Sequence, residues 1–172
     1  MFPPDLIARA AALIARCRAA GLKVATAESC TGGLIAALLT EIPGSSNVLE
    51  RGFVVYSNEA KEELIGVSPE TIRAHGAVSE ETARAMAEGA LRASRAGVAV
   101  SVTGIAGPDG GTAAKPVGLV HFGLARRGAP TVAREERFGD IGRDGVRLAS
   151  VKVALELLEE AGAEGETGYA VL

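Results

Sequence analysis

A short apolar run, Leu22 to Ala27, leads into Glu28-Ser29-Cys30-Thr31-Gly32-Gly33, and a helically spaced apolar run, Leu34 to Ile42, follows at once. An extended segment that hands over to a helix through a few small and polar residues is a strand–turn–helix unit. It restricts the chain to folds in which helices cover a sheet whose strands end at such turns. A hydroxyl at this turn is exposed at the end of a strand. The first N–H groups of the next helix lack intrahelical acceptors and are expected to point at whatever that hydroxyl attacks. Ser29 is therefore the candidate nucleophile.

The rest of the chain repeats the alternation. Asp5 to Ala20 reads as an amphipathic helix through Leu6, Ile7, Ala10, Leu13, Ile14 and Cys17, with Asp5 as its cap and Gly21 as its stop. Lys23 to Ala27 is a buried strand, Thr31 to Ile42 a helix ended by Pro43-Gly44, and Arg51 to Tyr56 a second strand. Ser57 or Asn58 caps a short helix through Leu64. Ser68-Pro69 opens another, with proline at the first helical position, and His75-Gly76 closes it. Ser79 starts a helix from Glu80 to Arg95, acidic first and basic late as the helix dipole prefers, with Gly97 as its stop. Val98 to Thr103 is a third strand, near-continuously apolar. A glycine-rich loop, Gly104 to Gly111, follows. Val117 to Ala125 and Thr131 to Phe138 form a hairpin. Gly142 or Arg143 to Glu160 is the last helix, buried through Val146, Ala149, Val153 and Leu157, and the tail after Ala161 frays. No internal repeat or dividing linker interrupts this order. The expectation is one domain over residues 1–172, with a core of about 5–160. Its class is layered α/β/α with a mixed sheet, parallel where helices cross over and antiparallel at the hairpin.

Composition limits the function classes. A formal net charge of −3 argues against nucleic acid or a membrane surface as the main partner. No run of 18 apolar residues offers a spanning helix. The start, Met1-Phe2-Pro3-Pro4-Asp5, lacks the pattern of a secretory leader. Two cysteines give no disulfide framework, so a reducing, cytoplasmic compartment fits. Aromatics are only 3%, so the core must be built from Ala, Val, Leu and Ile. The alanine-rich, hairpin-edged chain points to self-association as a homo-oligomer.

In open α/β sheets, ligands bind beyond the carboxyl ends of parallel strands. Three strands end in unusual polar residues: Glu28-Ser29-Cys30-Thr31, Tyr56-Ser57-Asn58 and Thr103-Gly104. If those strands are parallel, the three ends share one edge. A serine nucleophile needs a base. His75 and His121 read as ordinary surface or core histidines. Among four lysines, Lys61 is best placed, one turn into the helix after Tyr56. The positive end of that helix and partial burial both disfavour its ammonium. A solvated helix lysine is the competing reading. Cys30 is a rival nucleophile, or simply a small buried residue. Thr31, Gly32 and Gly33 serve as helix cap and close packing, as oxyanion donors, or as both. The loop Gly104 to Gly111 matches neither a Walker loop nor a dinucleotide fingerprint. Asp109, Asp140 and Asp144 are scattered and no paired-histidine spacing exists, so metal binding is not expected.

These residues in order closely resemble the C-terminal domain family of CinA, the nicotinamide-nucleotide amidohydrolases. The resemblance rests on Thr26 to Gly33, Gly44-Ser45-Ser46, Arg51 to Lys61, His75 to Ser79, Thr103 to Gly111 and Lys115-Pro116-Val117-Gly118. It spans about residues 5 to 160 with no departure at the motif positions. The separate N-terminal domain of longer members has no counterpart, which fits a stand-alone form. The resemblance implies hydrolysis of the carboxamide of nicotinamide mononucleotide to nicotinate mononucleotide and ammonia, without metal or cofactor. It implies Ser29 as nucleophile, Lys61 as general base and Tyr56 as a helper that relays a proton or orients Lys61. Substrate contacts are expected from Glu28, Cys30, Thr31, Gly32, Gly33, Asn58, Thr103, Gly104 and Arg143, with Arg143 and the glycine-rich loop at the phosphate. Glu28 is left between orienting Lys61 and binding ribose. A nucleotide-binding or regulatory module with the same pocket but no chemistry is the alternative, and a Cys30-based enzyme a third reading.

Overall fold

A computed structural model describes residues 2–164. Helices and strands follow the order α1 (Pro4–Ala19), β1 (Val24–Glu28), α2 (Leu34–Thr40), a 3₁₀ turn (Ser45–Asn47), β2 (Leu49–Val54), α3 (Asn58–Ile65), α4 (Pro69–His75), α5 (Glu80–Arg92), β3 (Val98–Gly104), β4 (Leu119–Arg126), β5 (Val132–Arg137) and α6 (Arg143–Glu164). The five strands form one sheet in the order β2-β1-β3-β4-β5. β1 runs parallel to both β2 and β3, while β3–β4 and β4–β5 are antiparallel. The expected layered class with a mixed sheet is what is found. The carboxyl ends of β1, β2 and β3 do meet at one edge.

The pleat divides two cores. Val98, Val100 and Val102 of β3, with Val120, Phe122 and Leu124 of β4, pack beneath α1, α2 and α6. Ala25, Ala27 and Ala99 face the other way, against Met86 and Ala90 of α5 and Ile65 of α3. Residues on that second face are small because α5 approaches closely. Ser101 donates to Ala83 O at 2.6 Å, and a Cβ on Gly123 would lie 2.4 Å from the same oxygen. Gly89 does the same for α3: its missing Cβ would fall 2.0 Å from Ile65 O.

Several boundaries differ from the sequence expectation. α1 starts at Pro4 without a cap from Asp5; proline at the first position takes that role, and Pro3 O receives the N–H groups of Leu6 and Ile7. α2 starts at Leu34 rather than Thr31, because Gly32 and Gly33 hold φ of +60° and +98°. It stops at Thr40, short of Ile42, whose helical conformation Pro43 disfavours. β2 leaves the sheet after Val54 so that Ser57 can accept from Ala60 N and cap α3. α5 ends at Arg92 rather than Arg95, and Gly97 is not its stop: Gly97 N already bonds Lys23 O as β3 begins. Arg51 and Arg127 take the carbonyls of Leu91, Ala93 and Ser94 just past the helix. The hairpin strands are shorter at most ends than expected. α6 buries more than its expected face, adding Val151, Ala154, Leu155 and Leu158, since it is wedged between sheet and helices. It continues to Glu164, past Ala161; the remaining tail lies outside the described residues.

Gly89 offers a test with opposed signs. Helix propensity favours Gly89→Ala by about 1 kcal/mol. Overpacking against Ile65 O costs about 1–3 kcal/mol or more. Denaturant unfolding should give a lower midpoint for the variant; a raised midpoint would show that α3 and α5 can separate freely.

Candidate active site

Glu28 and Ser29 leave β1 toward opposite faces of the sheet, continuing its pleat. Glu28 is fully buried on the α2 side. Its carboxylate accepts from Thr26 Oγ1 at 3.2 Å, Thr31 Oγ1 at 2.7 Å, and the N–H groups of Gly33, Ile35 and Ala36 at 3.1, 2.9 and 2.9 Å. The free N–H groups at the start of α2 are therefore spent on Glu28 and do not face Ser29. The sequence expectation for these donors is corrected accordingly. Glu28 is also no ribose ligand and does not touch Lys61: a carboxylate with five internal donors and no exposed surface caps the helix beneath the turn.

Ser29 lies on the other side, against Lys61. Lys61 Nζ sits 3.1 Å from Ser29 Oγ. It also donates to the carbonyls of Val55 at 2.9 Å, Tyr56 at 3.1 Å and Ser57 at 3.3 Å. Only 1% of Lys61 is exposed. The placement follows from helix geometry. Lys61 is the fourth residue of α3, and helical side chains lean back toward the N-terminus. Its long stem returns the amine to the strand–helix junction, where the carbonyls of 55–57 converge. Burial lowers the pKa of the amine, and the helix N-terminus disfavours the charge further. The solvated-helix reading of Lys61 is excluded by this burial.

Ser29, Cys30 and Tyr56 line an open cleft of about 260 Å³ with Gly104 to Gly107, Asp109, Gly110 and Arg143. The three strand ends and the glycine-rich loop converge as expected. Burial pushes the Cys30 thiol up to about 12, so it stays protonated at neutral pH and is a poor nucleophile. Tyr56 meets Lys61 through its carbonyl; its phenol instead accepts from Arg143 Nη2 at 3.3 Å. Arg143 Nη1 also donates to Gly107 O at 2.8 Å, joining α6 to the loop.

Other expected contacts lie elsewhere. Thr31 is fully buried on Glu28. Gly32 N bonds Ser29 O and Gly33 N bonds Glu28, so neither is a spare oxyanion donor. Thr103 is buried with its hydroxyl on Ala77 O. Asn58 is exposed in the first turn of α3 and does not line the cleft. Asp109, not singled out as a metal ligand but part of the glycine-rich loop expected at the ligand, lines the cleft. Arg147 had no sequence signal at all; it reaches Thr31 O at 3.1 Å and fastens the turn to α6. His121 is buried in β4 and His75 pairs with Glu81 on the surface, in keeping with their ordinary reading.

The sequence profile of the CinA C-terminal domain matches residues 7–161. The chain belongs to the CinA C-terminal domain family. It is 54% identical over 142 residues to the nicotinamide-nucleotide amidohydrolase PncC of Escherichia coli K12, covering 82% of this chain and 85% of that protein. A CinA-like protein of Anaeromyxobacter dehalogenans is 54% identical over 159 residues, 92% of this chain but 37% of its own length, so the chain spans just over a third of that longer relative. The crystal structure of the competence/damage inducible protein CihA from Agrobacterium tumefaciens superposes with a TM-score of 0.91 at 55% identity, covering 93% of this chain and 97% of that one. Among the described residues, no helix is long and apolar enough to cross a membrane.

Glu28→Gln keeps the shape of the cap but turns an amide NH₂ toward donors. It should cost about 2–4 kcal/mol of stability, because buried donors lose a charged acceptor. Chemical denaturation measures this; a variant of unchanged midpoint with a raised KM would mean Glu28 serves substrate instead.

Proposed function

We propose that this protein hydrolyses the carboxamide of nicotinamide mononucleotide, giving nicotinate mononucleotide and ammonia, with Ser29 as nucleophile and Lys61 as general base. The 3.1 Å contact between a buried amine and a cleft hydroxyl carries the reading, and the named amidohydrolase relative agrees with it. Neutral Lys61 accepts the Ser29 proton as Oγ attacks the amide carbon. The ammonium so formed has three N–H groups and three carbonyls within reach, those of Val55, Tyr56 and Ser57. They stabilise the charge that burial disfavours at the start, so proton transfer is matched to bond formation. Lys61 then passes that proton to the departing nitrogen, and ammonia leaves an acyl ester on Ser29. Water, deprotonated by Lys61, attacks the ester; collapse returns the proton to Ser29 and releases the carboxylate product.

Among the N–H groups of the turn, that of Cys30 is the candidate oxyanion donor, since Cys30 lines the cleft and the N–H groups of Ser29, Gly32 and Gly33 are already bonded. Arg143 is the candidate phosphate ligand: two of its five N–H donors hold Tyr56 and Gly107, which leaves others for an anion. The non-catalytic alternative keeps the cleft but gives no reason for an amine to be buried against a hydroxyl.

Incubation of the purified protein with nicotinamide mononucleotide in metal-free buffer should release ammonia. Ser29→Ala should abolish release, Cys30→Ala should not, and Lys61→Ala should lower kcat by at least about 10²-fold. Absence of release from the unaltered protein would support the non-catalytic module, and a lethal Cys30→Ala change would support the thiol. The base must be neutral, and its pKa is lowered. kcat/KM should therefore rise with pH as Lys61 loses its proton and level off below the ordinary lysine range. Lys61→Arg should show no such rise, because a guanidinium does not deprotonate.

A further inference from the structure

The cleft in front of Ser29 carries two formal charges of opposite sign. Among the described residues lining it, Asp109 is the one carboxylate and Arg143 the one cation. They do not neutralise each other, since Arg143 bonds to Gly107 O and Tyr56 Oη, and no ion pair joins it to Asp109. Tyr56 lines the same cleft and is 60% exposed, a large aromatic surface left open to solvent. Its hydroxyl is tethered by Arg143, so the ring is fixed rather than swinging free. A carboxylate and a held aromatic ring in one recess are the chemistry that recognises an organic cation.

A nucleotide of nicotinamide supplies one. N-alkylation by ribose makes the pyridine ring a cation, while the phosphate is an anion, so the whole molecule is a zwitterion. We infer that Asp109 and the face of Tyr56 recognise the positive charge of the pyridinium ring, making this cleft selective for the oxidised, cationic nucleotide over its neutral dihydropyridine form. This deepens the proposed reaction and rests on it. Asp109 is then a specificity residue that touches the substrate ring, while Arg143 takes the phosphate. By the same charge pattern free nicotinamide, which has neither the ring charge nor the phosphate, is a poor ligand for this cleft.

Binding to an enzyme that does no chemistry tests this separately from catalysis. Ser29→Ala and the Ser29→Ala/Asp109→Asn double variant are titrated by calorimetry with nicotinamide mononucleotide and with its reduced form. Asp109→Asn is isosteric, sits in an exposed loop, and removes the charge while keeping one hydrogen-bonding oxygen. The expected result is a two- to fivefold loss of affinity (the approximate scale of one partly exposed charge pair) for the oxidised nucleotide alone, shrinking as salt is raised. An equal loss for both forms would assign Asp109 to the ribose and overturn the inference; so would no loss for either. If Ser29→Ala binds the oxidised form selectively but the unaltered protein releases no ammonia, the reaction fails while the charge selectivity stands. If neither nucleotide binds, both readings fail.

Discussion

The buried carboxylate of Glu28 is the constraint from which the site follows. A charged group in a core is costly unless its acceptors are filled. Glu28 fills its acceptors with two threonine hydroxyls and three N–H groups at the start of α2. Satisfying them fixes where α2 begins, how the Thr31–Gly33 turn bends, and which way the strand end faces. The positive φ values at Gly32 and Gly33 are part of that solution, since the chain must double back within a few residues to bring those N–H groups onto one side chain. With Glu28 committed inward on one face, the pleat leaves Ser29 facing the other. The proposed nucleophile is thus positioned by a buried residue on the opposite face of the sheet.

Lys61 is held by a comparable balance with the opposite purpose. Its surroundings combine burial, which opposes the charge, with carbonyls that accept from the amine. Burial lowers the pKa, whereas three carbonyls at 2.9 to 3.3 Å stabilise whichever N–H groups are present. Both influences bear on the proposed role, in which Lys61 takes a proton and later gives it back. The local fold makes the arrangement hard to avoid once α3 starts at Asn58: the fourth helical residue leans back to the junction, and the junction is where β2 has just ended beside β1.

The layered class and the three convergent strand ends were legible in the sequence from the residues themselves, whereas the pairing of Ser29 with Lys61 was implied by the family resemblance and left open by spacing alone. The first two depend on local signals: apolar period and capping serines at 57, 68 and 79. What was not legible depends on where hydrogen bonds go in three dimensions. Glu28 looked like a polar residue at a reactive edge, because burial beneath α2 is a tertiary fact. Thr103 looked like a ligand for the same reason, although its hydroxyl is consumed by Ala77 O. Arg127, in the β4–β5 turn, and Arg51, on β2, take carbonyls at the end of α5, which no window around Arg95 contains. Arg147 was invisible because its partner, Thr31 O, is 116 residues away.

Arg143 shows how these long-range contacts bear on the chemistry. It is the first residue of α6, the helix whose other end is packed deep in the core. From there its guanidinium spans the cleft, one arm on the Gly107 carbonyl and the other on the Tyr56 phenol. Neither contact is strong alone, since each is a hydrogen bond to a neutral group near solvent. Together they tie the glycine-rich loop and an exposed aromatic ring to the longest of the described helices, four residues from the point where Arg147 ties the Ser29 turn to that helix. The two arginines stand one turn apart on one face. The turn bearing Ser29 and the rim that meets the rest of a ligand therefore share a single anchor. A displacement of α6 would move both together, and their spacing, which a substrate must match, would be preserved.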